Sequence, residues 1–414
     1  MKKIFALIIS FTIIYTALSA KNFFSGRFFE VKTGASFGFS NNLITGNDIF
    51  KKDLVIDLRK LADDCPKDGM DLLMNVGPSL EVNLNILRFH LGLTTGAEMY
   101  GRFNVGKGLF DFAGYGNKLG ETLNMNFTAD TDAFAYSQLD VGLDLKKFKL
   151  HVKPAVFLPV ISTRGNGGTI SVTNNPNDPD GNLIDAKVNV NMDMFCPVDM
   201  KNPQNLVREV NVNGNVLSSP LFSGYGFDLG GYVAIPFSKS FSLDFDVRIP
   251  LAAGHIYKKT TVTAEYEYKA KNINDLSNKD KKNLTQKDPE FSASEDTEFS
   301  IHRPLKASVY FDKNLLGTLF NARAGGGIGI QRPFSSEAIF YPEYYLGFTL
   351  NLIDFFKLGV STQYRDRVFI HQVGTTLSIR FVQLDLGLSA QSSSFKKSFE
   401  VAGVGGYAYV TVGF

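Results

Sequence analysis

Residues 405–414 read GGYAYVTVGF, and the fold turns on this run. In an extended chain Ala408, Val410, Val412 and Phe414 share one face, and Tyr407, Tyr409, Thr411 and Gly413 the other. The ends of domains usually fray, whereas here a period-two pattern is held to the last residue. A strand with one apolar face and one small or polar face needs partners along both edges and an apolar medium on one side.

The other end of the chain indicates which medium. Residues 1–22, MKKIFALIISFTIIYTALSAKN, carry two lysines, an apolar run over 4–18 and then small residues. This is the anatomy of a secretory signal peptide over 1–20, with cleavage expected after Ala20 or, second, after Ser19. The run is shorter than the ~20 residues a spanning helix needs, and no cysteine follows it for lipid attachment. Residues 21–414 then form a single domain with no further helix-length apolar run. Mean hydropathy is −0.03, and 44% of residues are hydrophobic. These values suit a soluble protein, but equally a membrane barrel whose ~10-residue strands alternate lipid-facing and lumen-facing side chains. A net charge of +2 gives no reason to expect a nucleic-acid partner. Cys65 and Cys196, in an exported chain, are a possible disulfide that spacing does not decide. The five histidines show no metal-ligand spacing, and no metal or cofactor is expected.

Barrels of this kind have short periplasmic turns and long outer loops. Six pairs of alternating runs are joined by very short links, near Asn85, Lys146-Lys147, Ser238-Lys239, Asn314, Asp354 and Phe381-Val382. Adding the run FFEVKTGASFGFS, with Phe29, Val31, Ala35, Phe37 and Phe39 on one face, and the C-terminal run gives about fourteen antiparallel strands. The number is even, and both ends fall on the side of the short turns, as a closed all-β transmembrane barrel requires. Long outer loops are expected near 41–78, 106–133, 161–222 and 253–299. Within the first, Ile49, Leu54, Leu58 and Leu61 lie at near-helical spacing, with Asn47 or Asp48 as N-cap. One short helical segment near 48–64 is therefore expected, either folded into the barrel or lying on its rim. With no tryptophan in the chain, aromatic girdles must come from its 37 Phe and 16 Tyr.

Alternation also assigns the lumen face. Around the Lys146-Lys147 turn the apolar set is Leu139, Val141, Leu143, Leu145, Phe148, Leu150 and Val152, so Asp144 is expected opposite Lys149, and Asp140 opposite Lys153. Further inward candidates are Glu81, Arg88, His90, Glu98, His151, Asp244, Asp246, Arg248, Lys306, Arg323, Glu343, Lys357, Arg365, Arg380 and Asp385. Both signs of charge are mixed, so no ion preference follows. Most of these groups are expected to support the wall as salt bridges. No Ser/His/Asp spacing stands out, and an enzyme is not expected. In RAGGGIGI, Gly325, Gly326 and Gly327 interrupt an alternating strand and mark a bend or bulge where a lateral opening is conceivable.

The strand count, the helical candidate and the clustered glycines resemble the long-chain fatty-acid transporter-like (OmpP1/FadL-like) group of outer-membrane barrels. GLFDFAGYGN (108–117) followed by DAFAYSQLDVGLDL (132–145) is similar, more closely, to an uncharacterised family of such barrels. Outer-membrane barrels also end on an aromatic residue after an alternating strand, so Tyr407, Tyr409 and Phe414 resemble the signal read by the barrel-assembly machinery. The resemblance implies an integral protein of the bacterial outer membrane, in contact with its lipid, for passive uptake of a small hydrophobic or amphipathic molecule. One departure is that the first strand follows the signal peptide almost at once, leaving only 48–64 to supply a plug, so no binding residues are carried over. The alternatives are a general diffusion porin, and a surface adhesin or antigen displayed on a barrel.

Overall fold

The computed structural model describes residues 27–49, 57–145, 147–179, 181, 183–197, 224–238, 240–270, 284–294, 297–353, 355–379 and 381–414. The expected signal peptide lies outside the described residues, as do Lys146, Lys239, Asp354 and Arg380. The strands in chain order are β1 Phe29–Asn41, β2 Met70–Ile86, β3 Phe89–Val105, β4 Thr122–Asp144, β5 Lys149–Asn174, β6 Ile184–Phe195, β7 Gly226–Ser238, β8 Phe241–Ala252, β9 Gly254–Ile256 and β10 Lys259–Ala270. They continue with β11 Leu284–Ser294, β12 Phe299–Ile301, β13 Leu305–Leu315, β14 Phe320–Gln331, β15 Ile339–Ile353, β16 Phe356–Arg365, β17 Val368–Ile379, β18 Val382–Ser392 and β19 Gly403–Gly413. Four short helices accompany them: α1 Gly46–Ile49, α2 Leu58–Asp64, α3 Lys107–Tyr115 and α4 Phe395–Phe399.

Seventeen of the strands form one antiparallel sheet. Its pairings close a ring of fourteen, running β1 to β5, then β7, β8 and β13 to β19, and back to β1. The expected count of about fourteen is thus the count of the closed wall. The closing pair runs in unbroken register from Glu30↔Gly413 to Ser40↔Gly403. Phe414 completes it: its N–H donates to Phe29 O (3.0 Å), its carbonyl accepts from Phe28 N (2.8 Å) and Phe29 N (3.1 Å), and its ring lies 5.7 Å from that of Phe29. A strand that ends here is therefore held to its last residue.

All six short links lie at this same end, and neighbouring turns bond to one another, Asn314 N to Ser240 O and Gly413 N to Phe381 O among them. The β2–β3 turn is Leu87-Arg88, just past Asn85, with Leu87 at φ 58°. The β13–β14 turn is 316–319, a few residues beyond Asn314, with Leu316 and Gly317 both at positive φ. Phe89, Phe148, Phe237, Phe320, Phe381 and Phe414 are exposed around this end, where aromatic girdles are expected from Phe and Tyr together. Most wall tyrosines instead point inward, Tyr407 and Tyr409 among them. Several such rings lie over a glycine of the adjacent strand, where a Cβ would clash: Tyr407 over Gly387, Tyr409 over Gly34, Tyr310 over Gly325 and Tyr341 over Gly329.

The outer end corrects the loop reading. Parts of 41–78, 106–133, 161–222 and 253–299 are strand, because several strands run on past the closed ring, with 50–56, 198–223, 271–283 and 295–296 outside the described residues. β4 has 23 residues and β5 has 26, about twice what one crossing needs. The upper half of β5 leaves β7 and pairs with β6, which pairs with β10, which pairs with β11. These strands stand above the ring.

In the β1–β2 connection helix forms at α1 and α2, with 50–56 outside the described residues. Asp57 caps α2 by accepting from Arg59 N and Lys60 N, both at 3.1 Å. α2 packs against α3, where a Cβ on Gly114 would stand 2.8 Å from Leu58 O and 2.9 Å from the Ala62 Cβ. The resulting apolar cluster of Leu43, Ala62, Cys65 and Phe110 rests on Met70 and Val105, the outer ends of β2 and β3. The helix is therefore a rim element. Cys65 is buried in that cluster, and neither cysteine is in a disulfide, which corrects the suggested Cys65–Cys196 pair.

Candidate functional site

The strand register shows what several of the expected lumen residues meet. Arg88 is not among them: it is exposed in the β2–β3 turn, because the parity of a strand does not carry through a turn. Arg380 lies outside the described residues. Asp144 pairs with Lys149 across the ladder, with ammonium and carboxylate 3.2 Å apart. Lys153 does not reach Asp140; its ammonium spans β7 to Asp246 on β8, at 3.4 Å. Asp140 is taken by His151 at 2.8 Å, with His90 at 3.8 Å. Glu81 accepts from Asn83 at 2.6 Å, and Arg323 lies between Asp312 (3.2 Å) and Asp244 (3.7 Å).

At mid-height the bore is bridged. Glu98 on β3 accepts from Arg248 on β8 at 3.1 Å and from Arg303 at 2.7 Å. Arg303 lies between β12 and β13, is 2% exposed, donates also to the fully buried Asp228 on β7 at 2.8 Å, and stacks over Tyr136 at 4.2 Å. The Arg248 Nε donates to the Pro304 carbonyl at 3.0 Å, so the 302–304 segment is fixed inside the wall. Such charges are stable out of water only when paired and hydrogen-bonded.

A second bridge crosses the outer mouth. Arg332, at φ 52° in the β14–β15 connection, reaches Asp132 on β4 at 2.8 Å and Glu337 at 3.1 Å. Asp132 also accepts from Ser162 and Arg164. A third latch joins Lys306 on β13 to Asp366 in the β16–β17 connection at 2.6 Å, with Tyr341 donating to the same carboxylate at 2.9 Å and Glu343 3.5 Å from the ammonium. Burial raises the Asp366 carboxyl, but Lys306 and Arg365 outweigh it and hold the group below its ordinary value. Arg303, Arg332, Asp366, Asp228 and Asp132 were not singled out from the sequence. Three of them sit in connections that fold inward, where strand parity says nothing. Of the two places expected for the 48–64 helix, inside the barrel or on its rim, the structure shows the rim, and the side chains that bridge the bore come from these later, shorter connections.

Beside the bridges lies a cavity of about 550 Å³ between β1–β3 and β16–β19. Lys32, Gln391, Arg365, Asp385 and the rings of Tyr100, Tyr136, Tyr407 and Tyr409 face it, and the Lys32 ammonium sits 5.0 Å over the Tyr409 ring. The cavity also touches Val76, Gly77, Ala97 and Met99. There the β2–β3 ladder is interrupted: pairing runs to Val76↔Met99 and resumes at Ser79↔Gly96 in the same register. Pro78 has no N–H to give β3, while β2 stays paired with β1 through Gly77↔Ser36 and Pro78↔Ala35. The β2–β3 ladder thus lacks two pairs at this point, in an otherwise unbroken register. The glycines at 325–327 leave no such gap: β13–β14 and β14–β15 pair continuously through them, and Gly325 makes room for the Tyr310 ring.

No protein-family model and no curated protein matches the chain. Among solved structures it is similar in outline to the Ralstonia pickettii toluene transporter TbuX, with 8% identity, 95% of this chain and 91% of that one covered, and a TM-score of 0.43. It is similar also to the P. putida toluene transporter TodX (8%, 94% and 90%, TM-score 0.43) and to a Pseudomonas aeruginosa FadL homologue (9%, 92% and 88%, TM-score 0.39). A likeness this distant carries no argument about ligand or path.

Proposed function

We propose that this barrel passes a small amphipathic molecule passively across the bacterial outer membrane, by way of the tyrosine-lined cavity and out between β2 and β3. The chain is exported by residues 1–20, and the assembly machinery reads the final strand ending on Phe414. One observation carries the reading: the cavity abuts the place where the β2–β3 ladder lacks its pairs at Gly77-Pro78. A volume of about 550 Å³ lies within the range of small-molecule sites. Tyrosine faces suit an apolar or aromatic body, and the charged rim suits a polar head. The arginine bridges argue against a general diffusion porin, which needs a water-filled bore.

The test is uptake of a fluorescent amphipathic probe into proteoliposomes. Gly77→Val with Pro78→Val restores the donor and fills this gap in the ladder. Uptake should fall at least tenfold, with heat-modifiable migration unchanged. Undiminished uptake in that variant sinks the lateral path. Steady open steps of the unaltered protein in a planar bilayer at neutral pH favour the porin instead.

A further inference from the structure

Three strands bring one side chain each to a single point near the turn end of the lumen: His90 on β3, Asp140 on β4 and His151 on β5. The register does this. His90 pairs with Gly142, and Gly142 pairs with His151. A Cβ on Gly142 would stand 2.7 Å from the His151 ring, so a glycine between the two histidines lets their rings meet with centroids 4.9 Å apart. Gly92, opposite Asp140, clears the other side, where a Cβ would lie 3.1 Å from His90 Nε2 and 3.2 Å from Asp140 Cβ.

Each imidazole is held by its far nitrogen. His90 Nδ1 is 2.7 Å from the Asn85 side-chain oxygen, and the amide nitrogen of Asn85 donates to Arg27 O at 2.9 Å. With the amide thus oriented, its oxygen can only accept. His90 therefore carries its proton on Nδ1 and turns the Nε2 lone pair toward Asp140. His151 Nε2 lies 3.0 Å from Asp144 Oδ1, and its Nδ1 faces Asp140 Oδ1 at 2.8 Å. An imidazole whose outer N–H is bonded to a carboxylate or carbonyl oxygen, with its inner nitrogen aimed at a shared point, has the arrangement that orients metal-binding histidines.

We propose that His90 Nε2, His151 Nδ1 and an Asp140 carboxylate oxygen hold a divalent transition-metal ion of the zinc class. These ligand atoms lie within 4.8 Å of one another, close enough for small side-chain adjustments to bring all three onto one ion. Two imidazoles and one carboxylate favour zinc, cobalt or nickel over magnesium or calcium, which take mainly oxygen. The ion sits between His151 Nδ1 and Asp140, and His151 Nε2 faces Asp144. With side chains 11–17% exposed, the point is reachable from the lumen. The metal ties β3, β4 and β5 together at the turn end.

The experiment titrates the tag-free, chelator-stripped, refolded full barrel with Co²⁺, read by visible absorbance, and with Zn²⁺ in competition. One saturable equivalent is expected. His90→Ala and His151→Ala should each weaken binding more than a hundredfold. Asn85→Ala and Asp144→Asn leave the three ligands in place and should weaken it about 10–100-fold. No saturable binding by the unaltered barrel, or affinity unchanged in the histidine variants, overturns the site in favour of a metal-free imidazolium–carboxylate cluster. If a histidine variant does not assemble, unchanged affinity in Asp144→Asn overturns it as well.

Discussion

Replacing Arg303 by alanine tests whether the bridged lumen is a dry lock or a wet set of ion pairs. Arg303 is 2% exposed and makes charge-assisted hydrogen bonds to Glu98 at 2.7 Å and Asp228 at 2.8 Å, with its guanidinium over Tyr136. Each such bond is worth about 1.5–3 kcal/mol, and a desolvated cation–π contact about 2 kcal/mol. Interactions sharing one side chain do not sum fully. Glu98 keeps Arg248, whereas Asp228 is left fully buried. The expected loss is about 4 kcal/mol, within the range of about 3–5 for stranding a buried charge. The assay is equilibrium urea unfolding in phospholipid, followed by heat-modifiable migration. Combining Arg303→Met with Asp228→Asn removes both charges and should recover at least half the loss. A cost under about 1 kcal/mol for Arg303→Ala, the size of a solvent-exposed pair, or no coupling between the two sites, refutes the dry lock.

The Lys306–Asp366–Tyr341 latch should depend on pH. The folded carboxyl of Asp366 lies below its ordinary 3.8, so its contribution is complete above about pH 4 and is lost as pH falls through the folded value. Bilayer recordings should stay silent from neutral pH to about pH 4 and show openings below it, and Asp366→Asn should open at neutral pH; silence throughout counts against the latch. At the rim, burial pushes the Cys65 thiol up to about 11, so alkylation at pH 8 should be slow in the native barrel. Gly114→Leu, which drives α2 from α3 at a local cost of about 1–3 kcal/mol, should speed it at least tenfold without opening the bore; equal rates refute the packing.

The wall was legible because a barrel writes itself in local terms. The turns bracketing Phe89, Phe148 and Phe381 are short, and the flanking strands alternate up to them. The extension was less so. β10, KTTVTAEYEYKA, alternates but carries charge throughout, and β11, LTQKDPEFSAS, has no apolar face to read. The lock was hidden for a different reason: Arg303 and Arg332 lie in connections whose direction depends on partners 200 or more residues away in sequence. His90, Asp140 and His151 stand between these cases. Parity put all three in the lumen, but their meeting needs the pair register across Gly142, which spacings of 50 and 11 residues do not reveal.

The tyrosines that lie inside the bore have an optical consequence. The chain has no tryptophan, so its near-ultraviolet absorbance and emission come chiefly from tyrosine. Tyr100, Tyr136, Tyr407 and Tyr409 line the cavity, while the exposed aromatic ring at the turn end is phenylalanine. In most membrane proteins intrinsic fluorescence is dominated by tryptophans at the lipid boundary. Here a substantial part of the signal arises beside the place where a ligand would sit, so occupancy can be followed by tyrosine emission without a dye, a label or any change to the chain.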